Sequence, residues 1–278
     1  MSNVGDTSGR DCYGWTVARE IIDDVLLGAL HIQSLTRDGF HHDQAVDHVA
    51  FQIGTLDALM EGRFDGDTTI GELLQHDSMG LGTVQHLGGE LIIDQGMAYV
   101  ARHDGSVVRV PETMKTPFAV VMAFQAAGTV NIGDVHSGEL FSTLAALTGE
   151  HDDIVAVRLN GLFHDLVLRS VEEQRPPYVP LSTVVESQHE FTRHRSSGTI
   201  VGFRFPDYLA GLEVPGFHLH FLSDEKDFGG HVIALGIESA TLEFEASQAM
   251  HVELPDGVTL GAPGTADRSA IRAIEGGD

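Results

Sequence analysis

Apolar positions recur at helical spacing from Trp15 to Leu35, with Val17, Ile21, Ile22, Val25, Leu26, Ala29, Leu30 and Ile32 on one side. This spacing predicts one amphipathic helix, packed on the body of the protein or on a second subunit. The pattern changes at Val49. "FQIGTLDALMEGRFDGD" reads as a short strand and a helical turn ending in a glycine-aspartate turn. "TIGELL" opens a helix, with Thr69 and Glu72 at capping-box spacing. "GELII" reads as a strand. "MAYVARHDGSVVRV" and "DIVAVRLNGLFHDLVLRSV" read as hairpins turning at "HDG" and "LNG", and "GELFSTLAAL" between them as a helix.

The prolines of "EEQRPPYVPLS" exclude both helix and central strand and mark a boundary. A β-rich stretch follows: "SSGTIVGFRF", "GFHLHFLSDEKDFGGHVI" and "ATLEFEASQAMHVELP". The tail "DRSAIRAIEGGD" reads as a short helix. These elements predict a mixed α/β (α+β) fold: two sheet-containing halves, mostly antiparallel, with few helices. The expected division is an extension over 1–46, an α/β half over 47–174 and a β-rich half over 175–278.

Charge narrows the partners. With 41 acidic against 16 basic residues, the net charge is −25. Phosphate backbones need a basic patch, so nucleic acid is excluded, and anionic membrane surfaces with it. Only Lys115 and Lys226 are lysines, a composition that fits a high-salt cytoplasm or a GC-rich genome. No stretch approaches the roughly 20 apolar residues of a membrane span. The N-terminus lacks a basic region followed by an apolar run, and Cys12 is the single cysteine. Both features favour a cytoplasmic protein.

The chemistry concentrates between Gly216 and Ile233. On a strand, His218 and His220 point to one face. The charged turn and double glycine before His231 let the chain reverse and bring a third imidazole to that face. Three converging histidines match an open catalytic metal site with one position left for water or substrate. A closed structural zinc site would want a fourth ligand, and the one cysteine is far away in sequence. Imidazole suits zinc, iron, copper and nickel alike, so spacing leaves the metal open. His164 reads as structural, and Asp224, Glu225 and Asp227 as a solvated turn. "FHHD", with His41 and His42, is not a site.

The segment "VPGFHLHFLSDEKDFGGHV" closely resembles the histidine segment of the bacterial α-acetolactate decarboxylases. "QIGTLDALMEGRFDGDTTIGELLQHDSMGLGTVQHLGGELI" resembles that family's N-terminal signature, and "TPFAVVMAF", "LRSV", "PPYVPL" and "GTIVGFRFPDYLAGL" follow in the family's order. The resemblance runs from about Ala50 to Glu275; the segment before residue 47 has no counterpart. It implies a two-layered α/β protein, a possible homodimer, that is a metal-dependent carboxy-lyase, usually with zinc. The implied reaction takes (S)-2-acetolactate to (R)-acetoin and carbon dioxide through a metal-stabilised enediolate that a glutamate protonates. The implied metal ligands are His218, His220 and His231. Arg169 would be the active-site arginine, Glu90 and Glu275 the active-site carboxylates, and Thr83 a residue lining the pocket. The tail around Glu275 matches only loosely.

These residue types suit the reaction on chemical grounds. Loss of carbon dioxide leaves an electron pair that must flow to the neighbouring ketone oxygen, which a Lewis acid stabilises. A carboxylic acid can then deliver a proton to one face. An arginine fork fits the substrate carboxylate or the developing oxyanion. Two other readings compete. His218, His220 and Glu225 have a cupin-like spacing, which would suit a metal oxygenase, although His231 then comes too soon. The other is an inactive metal- or metabolite-binding module.

Overall fold

The computed structural model describes residues 31–36, 48–75, 78–149, 153–247 and 249–255. Its strands, in chain order, are β1 His31–Thr36, β2 Val49–Ile53, β3 Thr68–Thr69, β4 Met79–Thr83 and β5 Glu90–Asp94. They continue with β6 Met97–Ala101, β7 Val107–Arg109, β8 Lys115–Thr116, β9 Phe118–Met122 and β10 Gly128–Ile132. The last five are β11 Ile154–Ser170, β12 His189–Phe205, β13 Gly216–Ser223, β14 Gly229–Ser247 and β15 Ala249–Glu253. The helices are short: α1 Leu56–Met60, α2 Ile70–Leu73, α3 Leu140–Thr148 and α4 Leu181–Val185. The fold is therefore dominated by strands, with few helices, as the hydrophobic patterning predicts.

An eight-stranded sheet runs β1-β15-β2-β9-β4-β5-β6-β7, and a five-stranded sheet runs β10-β14-β11-β12-β13, with β13 also paired to β14. Most pairings are antiparallel; β15 pairs in parallel with both β1 and β2. Neither sheet follows the division at 174/175. The five-stranded sheet takes β10 and β11 from before it, and the eight-stranded sheet takes β15 from after it.

Three apolar layers follow from period-2 alternation. Ile92 and Leu81 of one sheet meet Ala156, Phe203 and Leu222 of the other in an inner core. Leu91 and Ile93 face outward beneath α2. Leu219, Phe221 and Val157 face outward beneath α3. An ion pair ties the sheets together: Arg158 on β11 donates to Asp94 on β5 at 2.7 and 3.3 Å, and to Glu243 on β14 at 3.1 Å.

Several local readings hold. Thr69 and Glu72 form the expected capping box on α2. "HDG" closes the β6–β7 hairpin, with Gly105 at φ 78°. Two readings are corrected. "LNG" is not a turn: β11 runs unbroken for 17 residues through Asn160 and Gly161. Gly161 is there because a Cβ would lie 2.3 Å from Ser239 O on β14, so the glycine permits strand contact. The predicted N-terminal helix is overturned at its C-terminal end, where His31–Thr36 is a strand whose backbone extends the sheet against β15. Ladder pairing there overrides the helical spacing of Ile32 and Leu35. The rest of that helix, and the tail helix, lie outside the described residues.

Candidate metal centre and its cavity

β13 and β14 form an antiparallel hairpin in which His220 stands opposite His231. His218, His220 and Leu222 share the inner face, while Leu219 and Phe221 enter the outer core. The i, i+2 pair thus converges with His231, ring centroids 5.0–5.4 Å apart. Their ligand atoms all lie within 4.8 Å of one another. All three are buried, at 6%, 0% and 2% exposure.

The double glycine has a different use from the flexibility its sequence suggests. Both glycines lie in β14, and a Cβ on Gly230 would sit 2.9 Å from both Arg169 O and the Phe191 ring. The hairpin closes through Ser223, whose amide donates to Phe228 O and whose hydroxyl donates to Asp227.

Burial, with the positive charge of Arg169 nearby, pushes His218 down to about 3. Burial first, then His218 and Arg169, pushes His220 well below its ordinary value, against the raising effect of its bond to Leu91 O. Both rings are therefore neutral, as metal ligands must be. His220 Nδ1–H donates to Leu91 O at 2.8 Å, which leaves the lone pair on Nε2. That buried Nε2 makes no hydrogen bond and lies 3.4 Å from Glu90 Oε2. Three buried imidazoles, two of them held neutral and one of these with its lone pair held in place, fit a divalent transition metal.

Glu90 opens β5 on the same side as Ile92, facing the histidines. Gly89, at φ 135° and with no room for a Cβ against Ala101 O at 2.4 Å, sets its approach. Thr83 is buried opposite Glu90 on β4, and its hydroxyl donates to Gly89 O at 2.9 Å.

Arg169 reaches the site through an irregularity in β11. Before Asp165, odd-numbered Val157, Leu159 and Phe163 face the outer core; beyond it, even-numbered Leu166 and Leu168 do. Asp165 has φ 48°, and the register with β14 slips there. The change of parity turns Arg169 inward, opposite His231, where it is 4% exposed.

Thr83, Glu90, Arg169, His218 and His231 line one cavity. The rest of its wall is apolar: Leu56 and Leu59 of α1, Leu87, Phe118, Val171, and Leu181 and Val185 of α4. No local pattern marks these residues. "PPYVPLS", read as a boundary, instead leads into α4 along the cavity. Glu275 lies outside the described residues. Glu225 sits exposed in the β13–β14 turn and takes no part in the histidine group, which removes the basis for the cupin reading. His164 is also separate from it, beside Asp165 at 3.0 Å.

A family model described as alpha-acetolactate decarboxylase matches residues 50–260. The alpha-acetolactate decarboxylase of Methylococcus capsulatus is 38% identical over 236 residues, covering 84% of this chain and 91% of its own. That of Brevibacillus brevis is 37% identical over 212 residues, covering 76% and 74%. The crystal structure of the Bacillus subtilis strain 168 enzyme superposes with a TM-score of 0.77 at 31% identity, over 82% of this chain and 99% of that one. Among the described residues, no helix is long and apolar enough to cross a membrane.

Proposed function

The chain belongs to the alpha-acetolactate decarboxylase family, and from that premise we propose that it converts (S)-2-acetolactate to (R)-acetoin and carbon dioxide. The observation that carries this reading is the buried trio His218, His220 and His231, two of whose members, His218 and His231, line one cavity with Glu90 and Arg169. The trio would hold a divalent metal, zinc in our reading. When bound, that ion supplies Lewis acidity toward the electron pair left as carbon dioxide departs.

The chain's own residues do the rest. Arg169 brings a fixed positive charge to the cavity floor for the anionic oxygens of the substrate. Leu91 O holds the His220 ring in one tautomer. Glu90 delivers a proton to the carbon that loses carbon dioxide. Because Glu90 enters from one side of the cavity, a single enantiomer results. Thr83 commits its hydroxyl proton to Gly89 O and so shapes the wall. Leu56, Leu87, Leu181 and Val185 exclude water, which strengthens every charge interaction at the polar floor. Glu275 completes the proposal as a second carboxylate. A cytoplasmic homodimer is part of the same reading, suited to a chain with one cysteine.

The test is acetoin formation from racemic 2-acetolactate. Chelation should reduce it to the uncatalysed background and zinc should restore it. Glu90→Gln should lower kcat by about 10²-fold or more with metal content retained. Metal binding without acetoin would overturn the proposal and leave a binding module.

A further inference from the structure

Val84–Gly89 joins Thr83 to Glu90, and its backbone is held in an unfavourable form. His86 and Leu87 are consecutive non-glycine residues with φ 63° and 52°. Such a pair persists only where surrounding contacts impose it. Leu87 lies in the cavity wall, so the conformation of this loop bears on the site directly.

The contacts come from two distant segments. Tyr178 follows the double proline, two residues ahead of the N-cap of α4. Its hydroxyl donates to Asp65 Oδ1 at 2.7 Å and accepts from His86 Nδ1 at 2.5 Å. His86 N donates to Phe64 O, and Gln174 N donates to His86 O at 2.6 Å. The Tyr178 ring packs edge-on against buried Phe64. Partial burial, then the bond to Asp65, pushes the Tyr178 hydroxyl up to about 12, so it remains a donor at working pH. The chain running from Gln174 through Tyr178 carries Leu181 and Val185 into the same wall as Leu87.

We infer that Asp65, Tyr178 and His86 form a latch that fastens the 172–188 segment to the 84–89 loop and thereby fixes Thr83 and Glu90 at the cavity. All three are positioning residues that act through Glu90 and through the apolar wall. The inference rests on the decarboxylase reading for its kinetic consequence, and on geometry alone for its mechanical one.

The test pairs kinetics with hydrogen exchange on the zinc-loaded full chain. Tyr178→Phe keeps the ring on Phe64 and removes both hydroxyl bonds. It should lower kcat about tenfold, since small misplacements of a reacting group cost one to two decades. Zinc content should not change, because the histidines sit on the other sheet. Asp65→Ala should match it, and the double variant should be no worse than either single one. Asp65→Asn, which keeps an acceptor oxygen for Tyr178, should recover most of the loss. Amide exchange over 84–89 and 172–188 should quicken together, about tenfold, while 218–231 stays protected. Unchanged exchange in both segments, or additive losses in the double variant, would overturn the latch. Wild-type protein that makes no acetoin would sink the decarboxylase reading and leave the exchange result to decide the latch. Wild-type turnover with an unaltered Tyr178→Phe kcat would sink the latch alone.

Discussion

The β13–β14 hairpin and the wall that faces it enclose one cavity, yet they are put together differently. The hairpin holds its three histidines within 14 positions of sequence, and strand alternation suffices to aim them at one face. The opposite wall draws on α1, the 84–89 loop, the start of β9 and α4, each supplying one or two side chains. The first is a local device and the second a tertiary one. Damage to the first should therefore remove a function outright, while damage to the second should degrade geometry.

The largest effect is expected at His220. His220→Ala removes one nitrogen of the metal group and leaves Leu91 O without its donor. Metal retention should fail and acetoin formation should fall about 10³-fold or more, as loss of several kcal/mol of charge stabilisation requires. Metal analysis of the purified variant checks this. Full zinc occupancy in that variant would mean that the hairpin is not the decisive wall.

Arg158 sharpens the comparison from the other direction. It joins the sheets through Asp94, four residues along β5 from Glu90, and both partners are largely buried. Arg158→Ala leaves the Asp94 carboxylate in the inner layer with its bidentate partner gone. Unfolding in urea should show a loss of about 3 kcal/mol. Folded variant should keep its zinc, since the hairpin lies within one sheet. A variant that is as stable as the parent would show that water replaces the guanidinium without cost.

What was legible in the sequence follows the same division. The histidine trio, the Thr69–Glu72 capping box, the α3 helix and the β6–β7 hairpin depend on residues close in sequence, and each was readable there. Gly161 misled because a glycine needed for contact between strands looks like one needed for a turn. Ile32 and Leu35 misled because a free edge on β15 outweighs helical spacing. The inward turn of Arg169 was invisible, since it depends on a register slip beside Asp165 that no alternation pattern reports. The apolar wall was invisible for a simpler reason: its members are ordinary leucines and valines and one phenylalanine until the chain brings them together.

Taken ring by ring, the smallest of these effects concerns pH in the metal-free protein. His218 and His220 are held neutral when folded, His218 down to about 3, whereas in the unfolded chain each has the ordinary histidine value near 6.5. Above that value neither state is protonated, and these rings make no contribution to the slope of stability with pH. Below it the unfolded chain takes up protons that the folded chain refuses, so stability falls as pH falls, down to the folded value. At pH 5 the cost is about 2 kcal/mol for the His218 ring, taking 1.36 kcal/mol for each pH unit, and the His220 ring adds a loss of the same sign. A metal held by the folded trio would oppose the loss, and its affinity should weaken over the same interval. Thermal melts of the metal-free protein between pH 7 and pH 4 should therefore show a falling Tm, and a hairpin variant lacking His218 and His220 should show a shallower fall. A slope unchanged by that double substitution would assign the acid sensitivity to groups other than these two histidines, and would show that the local hairpin is not the part of the molecule that answers to pH.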